Sequence, residues 1–252
     1  MSGWLTGLGP AGTALSLLLL GHVLGDFAFQ TDELAAAKHR IRPLLTHVGI
    51  VFVAHVVAFL PLLTAESALT VVAIGVVHFP IDAVSARIRQ RRGSSAQLFL
   101  ADQLAHLLVI LGAWTLVEPA AWTLTPVLAG VGGLAALPWA QVTTGAVYLA
   151  AFVFAHDGGN AIVRGVLPDP DPAPNSEDEL EAGSLIGSLE RWVILFLGVA
   201  GLWGSVGLVV AAKSIARFEE LKQQAFAEYF LVGTLSSVLV AIALASTVSV
   251  LV

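Results

Sequence analysis

The sequence predicts an all-α protein, a polytopic transmembrane helix bundle of about eight spans. The first observation behind this is composition. Of 252 residues, 57% are hydrophobic and 12% charged, with a mean hydropathy of +0.86, whereas soluble domains are near a quarter charged. The second is periodic recurrence of apolar runs of spanning length. The third is that the ionisable residues inside those runs are ordered in spacing and depth.

A spanning helix needs roughly 20 mostly apolar residues. Runs near 11–30, 44–63, 67–87, 97–117, 142–165, 186–211 and 228–252 satisfy this, and a weaker run at 120–138 is broken by Gly and Pro. The first run has no Lys or Arg before it and contains His22 and Asp26, so it is expected to be a retained span and not a cleaved signal. Four segments follow: 1–117, a four-helix membrane unit; 118–167, the weak fifth span and the sixth; 168–183, an acidic Pro-rich loop; and 184–252, a C-terminal helical pair. Gly198, Gly201, Gly204 and Gly207 suggest close helix packing in the seventh span.

Basic residues gather in cytoplasmic loops. Lys38, Arg40 and Arg42 follow the first span, Arg87, Arg89, Arg91 and Arg92 the third, and Lys213, Arg217 and Lys222 the seventh. These ten of twelve basic residues share one side only if the weak run also crosses, which predicts both termini outside. The loop bearing Asp169, Asp171, Glu177, Asp178, Glu179 and Glu181 would then be an external, solvated linker, and it accounts for the net charge of -6.

Cysteine is absent, which excludes disulfides, thiolate metal sites and cysteine nucleophiles. No basic patch with interleaved aromatics argues for nucleic acid. No nucleotide-binding glycine loop, serine-nucleophile motif or haem attachment motif is present.

The chemistry lies in three His/Asp pairs at helical i,i+4 spacing: His22 with Asp26 in GHVLGDFAFQ, His78 with Asp82 in HFPID, and Asp102 with His106 in DQLAH. Such spacing puts both side chains on one helix face. For seven His and eight Asp placed at random, about half of one such pair is expected. With His47 in the second span, all would lie within roughly 5–15 Å of the cytoplasmic boundary. His22, Asp26, His47, His78, Asp82, Asp102 and His106 thus form a candidate set of nitrogen and oxygen metal ligands, suited to zinc first, then manganese or iron. Asp26, Asp82 and Asp102 are the candidate bases, and Gln30 and Gln103 can orient a ligand or substrate. His39, among basic loop residues, and His55, in an apolar helix middle, are read as non-ligands. The alternatives are buried hydrogen-bonded helix contacts or a metal-free proton relay.

In the C-terminal half, Lys213, Arg217, Glu228 and Tyr229 are expected at the cytoplasmic boundary, where Lys213 and Arg217 can hold a phosphate or follow the positive-inside bias. Glu190 and Arg191 are expected at the opposite end as an interfacial anchor. Asp157, with Asn160 and Arg164 in FAHDGGNAIVR, can line an ion path or pair with Arg191.

LLLGHVLGDFAFQTD, HFPIDAVSARI with FLADQLAHLL, and GSLERW, AAKSIARF and EYFLVGTLSS resemble a bacterial integral membrane family catalogued as domain of unknown function 3307. The resemblance covers most of the chain except the weak fifth span and the acidic loop. It implies a bacterial plasma-membrane protein and assigns no activity. A looser likeness to membrane-bound metal-dependent hydrolases rests only on His and Asp near helix ends.

The functional expectation is a metal-dependent hydrolase of an amphiphilic or lipid-linked substrate at the cytoplasmic side, with membrane lipid as its surroundings. Two other classes compete: a metal-ion or proton transporter or channel using the same residues, and a non-catalytic membrane subunit.

Overall fold

The structure is a computed structural model that describes residues 3–118, 121–123, 138–167 and 177–252. Every regular element among the described residues is helical: α1 (Trp4–Gly7), α2 (Pro10–Val23) continued by a π-helical turn (Leu24–Ala28), α3 (Asp32–Ala37), α4 (Ile41–Phe59), α5 (Ala65–Arg92), α6 (Ala96–Thr115), α7 (Trp139–Val166), α8 (Glu177–Val199), α9 (Val206–Ala216) and α10 (Gln224–Leu251). Among the described residues, six stretches are long and apolar enough to cross a membrane: Pro10–Ala28, Ile41–Leu62, α5, α6, α7 and α10. The weak run 120–138 lies almost wholly outside the described residues.

Two compact units divide the chain. The first comprises Met1–Gly93, Leu100–Val153 and Val250–Val252. Its central helix is α2, 78% of whose apolar stretch is buried, against 17–44% in the other five. Small residues let α4 close on it. A Cβ at Gly21 would stand 2.8 Å from the His55 Cα, and one at Gly25 would stand 2.8 Å from the Val51 Cα. Gly21 and Gly25 are thus one turn apart on the face that meets α4, the small-xxx-small device of membrane helix pairs. Trp114 of α6 donates from Nε1 to the Ala11 carbonyl at 2.8 Å. Thr13 and Thr143 join hydroxyls at 2.8 Å, tying α2 to α7.

A reciprocal capping box starts α5, with the Thr64 Oγ1 accepting from the Ser67 N–H and the Ser67 Oγ accepting from the Thr64 N–H. Arg89, Arg91 and Arg92 end it, complementing the helix dipole, and Gly93 at φ +79° leaves the helix. Val57, Leu69 and Val76 point outward, 66–71% exposed, while the polar side chains lie inside. That inversion of the soluble pattern suits a lipid surrounding.

The second unit comprises Ser94–Phe99 and Phe154–Ser249, and here the predicted topology needs correction. The run 186–211 is not one span. Helix α8 begins at Glu177, inside the segment expected to be a linker, and stops at Val199. The stop is a Schellman motif: Leu202 N–H donates to the Leu197 carbonyl at 2.8 Å, Gly201 N–H to Gly198 at 3.0 Å, and Gly201 takes φ +74°. Of the four glycines read as packing residues, Gly198 closes on Ala245 and Trp203, Gly201 reverses the chain, and Gly204 and Gly207 face open space. Helix α9 runs back along α8, so that the Lys213 Nζ lies 2.6 Å from the Glu190 Oε2. These two residues, expected at opposite ends of a span, are neighbours. Because α9 returns toward the end of α8 that follows the acidic segment, Lys213, Arg217 and Lys222 do not come after a full crossing. The one-sided placement of ten basic residues, and the eight-span count built on it, lose that support.

Arg191 is likewise no interfacial anchor, being 1% exposed. Its Nε donates to the Ala155 carbonyl at 2.5 Å, its Nη1 to the Ser237 Oγ at 3.1 Å, and its Nη2 to the Asn160 Oδ1 at 2.6 Å. One guanidinium thereby joins α7, α8 and α10. Gly159 leaves room for it, since a Cβ there would collide with the guanidinium. Asp157 does not pair with it; its Oδ1 accepts from the His156 Nδ1 at 2.7 Å.

Candidate metal centre

The site lies in the first unit, where α2 with its π turn, α4, α5 and α6 each contribute side chains. The π turn is local sequence at work: Phe29 N–H reaches the Leu24 carbonyl at 2.9 Å, an i→i+5 bond, and the widened turn carries Asp26. Such bulges frequently mark functional positions. On α5, Pro80 stands between His78 and Asp82 within a continuous helix and cannot donate a backbone bond.

Three donor atoms make a nearly equilateral triangle. Asp26 Oδ1 lies 3.3 Å from both the His47 Nε2 and the His78 Nε2, and those two nitrogens are 3.3 Å apart. Asp82 Oδ2 faces the same nitrogens at 3.0 and 3.2 Å. In a tetrahedral zinc centre with bonds of about 2.0–2.1 Å, neighbouring donors stand about 3.3 Å apart. Asp26, His47, His78 and Asp82 are at most 4% exposed. Asp26 Oδ1 and Asp82 Oδ2 have no hydrogen-bond partner despite the nearby nitrogens, and an unsatisfied buried acceptor costs on the order of 1–3 kcal/mol. The two imidazole nitrogens are joined to each other, the carboxylate oxygens face both of them, and these convergent donors could hold a cation.

Around this triangle stands a second ring of groups. His22 Nε2 lies 3.8 Å from the Asp26 Oδ2 and 3.2 Å from the Gln103 Oε1. Gln103 Nε2 donates to the Asp102 Oδ2 at 3.1 Å and approaches the Asp26 Oδ2 at 3.4 Å. His106 donates from Nδ1 to the Asp102 carbonyl at 3.0 Å, leaving its buried Nε2 without a partner. Its ring is centred 4.2 Å from that of His78 and 5.0 Å from that of His22. Among the described residues, three groups of donors could hold a metal: His22, Asp26 and His106; Asp26, His47 and His78; and His78, Asp82 and His106.

Six of the seven expected ligands are thus brought together. Asp102 is the exception, its carboxylate resting on Gln103 and 3.6 Å from the His106 Nδ1; it supports the ligands and is outside the donor groups. Gln103 has the orienting position expected of it, whereas Gln30 has a buried, unpartnered Oε1 and no bond to the cluster. Lys213, Arg217 and Glu228 belong to the second unit and are engaged there with Glu190, Glu220 and Gln224. His39 is exposed beside the Ala36 carbonyl. His55, buried, donates from Nδ1 to the Val51 carbonyl at 2.9 Å and is outside the donor groups.

One residue escaped the sequence. Lys38, counted among the basic loop residues, is 5% exposed and its Nζ lies 3.2 Å from the Asp82 Oδ1. Asp82 therefore turns one oxygen to the two imidazoles and the other to an ammonium. The signal was faint: Lys38 follows a short amphipathic segment, Asp32–Ala37, capped by the Thr31 Oγ1 accepting from the Leu34 N–H, and this helix folds the loop back.

Residues 14–129 match the family described as Protein of unknown function (DUF3307). No curated protein and no solved structure matches. The matched segment contains every candidate ligand from His22 to His106 and ends before GSLERW, AAKSIARF and EYFLVGTLSS, so it is shorter than the resemblance drawn from those motifs.

Proposed function

We propose that this chain, whose residues 14–129 match the DUF3307 family, is a metal-dependent hydrolase of the inner bacterial membrane acting on an amphiphilic or lipid-linked substrate. The observation that carries the proposal is the triangle of Asp26, His47 and His78 donors at 3.3 Å spacing, with Asp82 against the same nitrogens. Zinc suits this donor set best, and manganese or iron would also fit.

A divalent ion held there supplies Lewis acidity, activating water and stabilising a leaving oxygen. The remaining work belongs to the side chains. Asp102 has one carboxylate oxygen buried and unpartnered, which suits it to accept the proton of attacking water and return it to the leaving oxygen. Gln103, bonded to His22 and Asp102, fixes the tilt of both. Lys38 offsets the charge of Asp82. Hydrolysis adds water's hydroxyl to the acyl or phosphoryl centre as the ester bond breaks. An amphiphilic substrate is favoured because the stretch of chain between Asp26 and His47 exposes basic Arg40 and Arg42 together with the apolar side chains of Phe29, Ile41 and Leu45.

The test is elemental analysis of detergent-purified protein, with hydrolysis of phospholipid and lipid-ester panels. Wild type should retain a transition metal through dialysis and cleave one class, and His47→Ala should lose both properties while His55→Ala keeps the metal. Protein that stays folded with no bound metal rejects the reading.

Transport of a metal ion or proton is the second reading, favoured by His55, whose ring centre is 6.4 Å from that of His22 and whose Nε2 is buried and free. His55 stands beside His22, about two helical turns from His47 on α4. Asn160, expected from the sequence to line an ion path, is bonded to Arg191 and Ser188. Ion flux in liposomes separates transport from hydrolysis.

A further inference from the structure

We infer that the centre takes two divalent ions, with Asp26 bridging them and His22 and His106 completing the second position. The inference rests on the metal reading above and extends it.

Asp26 divides its oxygens between two sets of imidazoles. Oδ1 stands 3.3 Å from His47 and His78, and Oδ2 stands 3.8 Å from His22. A carboxylate so placed can ligate one ion through each oxygen, as in the paired-metal sites that clamp both the attacking and the leaving oxygen of a displacement. His22, Asp26 and His106 each offer a donor atom within 4.8 Å of the other two.

His106 is prepared for this role, and so is His22, whose Nε2–H is given to the Gln103 Oε1 at 3.2 Å. Metal-binding histidines ordinarily donate their second ring nitrogen to an oxygen, which fixes the tautomer. The Nδ1–H of His106 is given to the Asp102 carbonyl at 3.0 Å, so the lone pair resides on Nε2, which is buried without a partner in a residue 2% exposed. The Nδ1 of His22 is buried and unpartnered too. Neither imidazole is needed by the first position, which draws on His47, His78 and Asp82.

The third donor group, His78 with Asp82 and His106, is not an independent position. It draws on the His78 and Asp82 atoms that the first ion uses, and an imidazole nitrogen has one lone pair to give. With three protein donors, the second position keeps an open place, as hydrolytic metal sites do.

The experiment loads the full-length protein in detergent with Mn(II) or Zn(II), counts ions per chain, and records the Mn(II) electron paramagnetic resonance spectrum. Wild type should bind two ions and show an exchange-coupled spectrum. His106→Ala and His22→Asn, checked for folding by circular dichroism, should each bind one and show an isolated-ion spectrum. A wild type that saturates at one ion, lost in His47→Ala, overturns the second position and leaves the first standing. Two ions in folded His106→Ala overturn it as well, and no bound ion in wild type removes both.

Discussion

Replacing Gly25 by alanine perturbs the centre without touching a ligand. The added Cβ would lie 2.8 Å from the Val51 Cα and 2.9 Å from the Val51 Cγ2, where ordinary carbon contacts are about 3.5–4.0 Å. Backbone is involved, so no rotamer change relieves the clash, and α2 and α4 must separate by about 0.7 Å or more. Asp26 is the next residue on the moving helix, and His47 lies one turn from Val51 on the other. Their 3.3 Å separation should open toward about 4 Å, while metal bonds tolerate about 0.2 Å. Overpacking strain of about 1–3 kcal/mol corresponds to a loss of metal affinity of roughly 5- to 150-fold. Gly49→Ala is the control, being on α4 with open space around its Cβ. Competition titration against a chromogenic chelator, with thermal unfolding in detergent, reads both effects. If Gly25→Ala binds metal within twofold of wild type, or Gly49→Ala loses as much, close packing at this glycine does not set the geometry and the reasoning fails.

Lys38→Met leaves Asp82 buried without its cation, and should destabilise the metal-free protein by about 3–5 kcal/mol. Adding Zn(II) should recover more stability in this variant than in wild type, by denaturation in detergent; equal recovery refutes the pairing. Chelation of wild type should lower the unfolding temperature by about 5–10 °C, from roughly 2.7 kcal/mol of binding linkage when free ion stands at about 100 times its Kd, and His47→Ala should not respond. Arg191→Met removes the donor shared by Ala155, Asn160, Ser188 and Ser237, and should cost about 3 kcal/mol or more. Arg191→Lys should not restore it, lacking the planar fork, and metal content should stay at the wild-type value in both.

Read as sequence, GHVLGDFAFQ disclosed a buried acid and base one turn apart, and HFPID and DQLAH repeated the signal. Periodicity makes that legible, because i,i+4 spacing fixes a shared face wherever the helix packs. His47 was legible only by its depth in the second span. Lys38 was not, since nothing local distinguishes a basic residue left in the boundary from one folded back onto an aspartate. The seventh span failed for a related reason: hydropathy is a sum over a window and is nearly blind to one glycine at positive φ, so α8 and α9 read as one run until the Schellman turn at Gly201 separated them.

Composition alone determined that this chain is helical and suited to a lipid environment, because 57% hydrophobic residues in long runs leave backbone groups no partners but their own helix. Spacing alone determined which faces carry imidazole and carboxylate. Only the tertiary structure decided that Asp26 divides its oxygens between His47 with His78 and His22, that Asp102 stands behind the ligands, and that Lys213 is spent on Glu190. The physical reason is that helical spacing fixes direction within one element, whereas distance between elements depends on how closely their backbones approach, and here that is set by small residues such as Gly21 and Gly25.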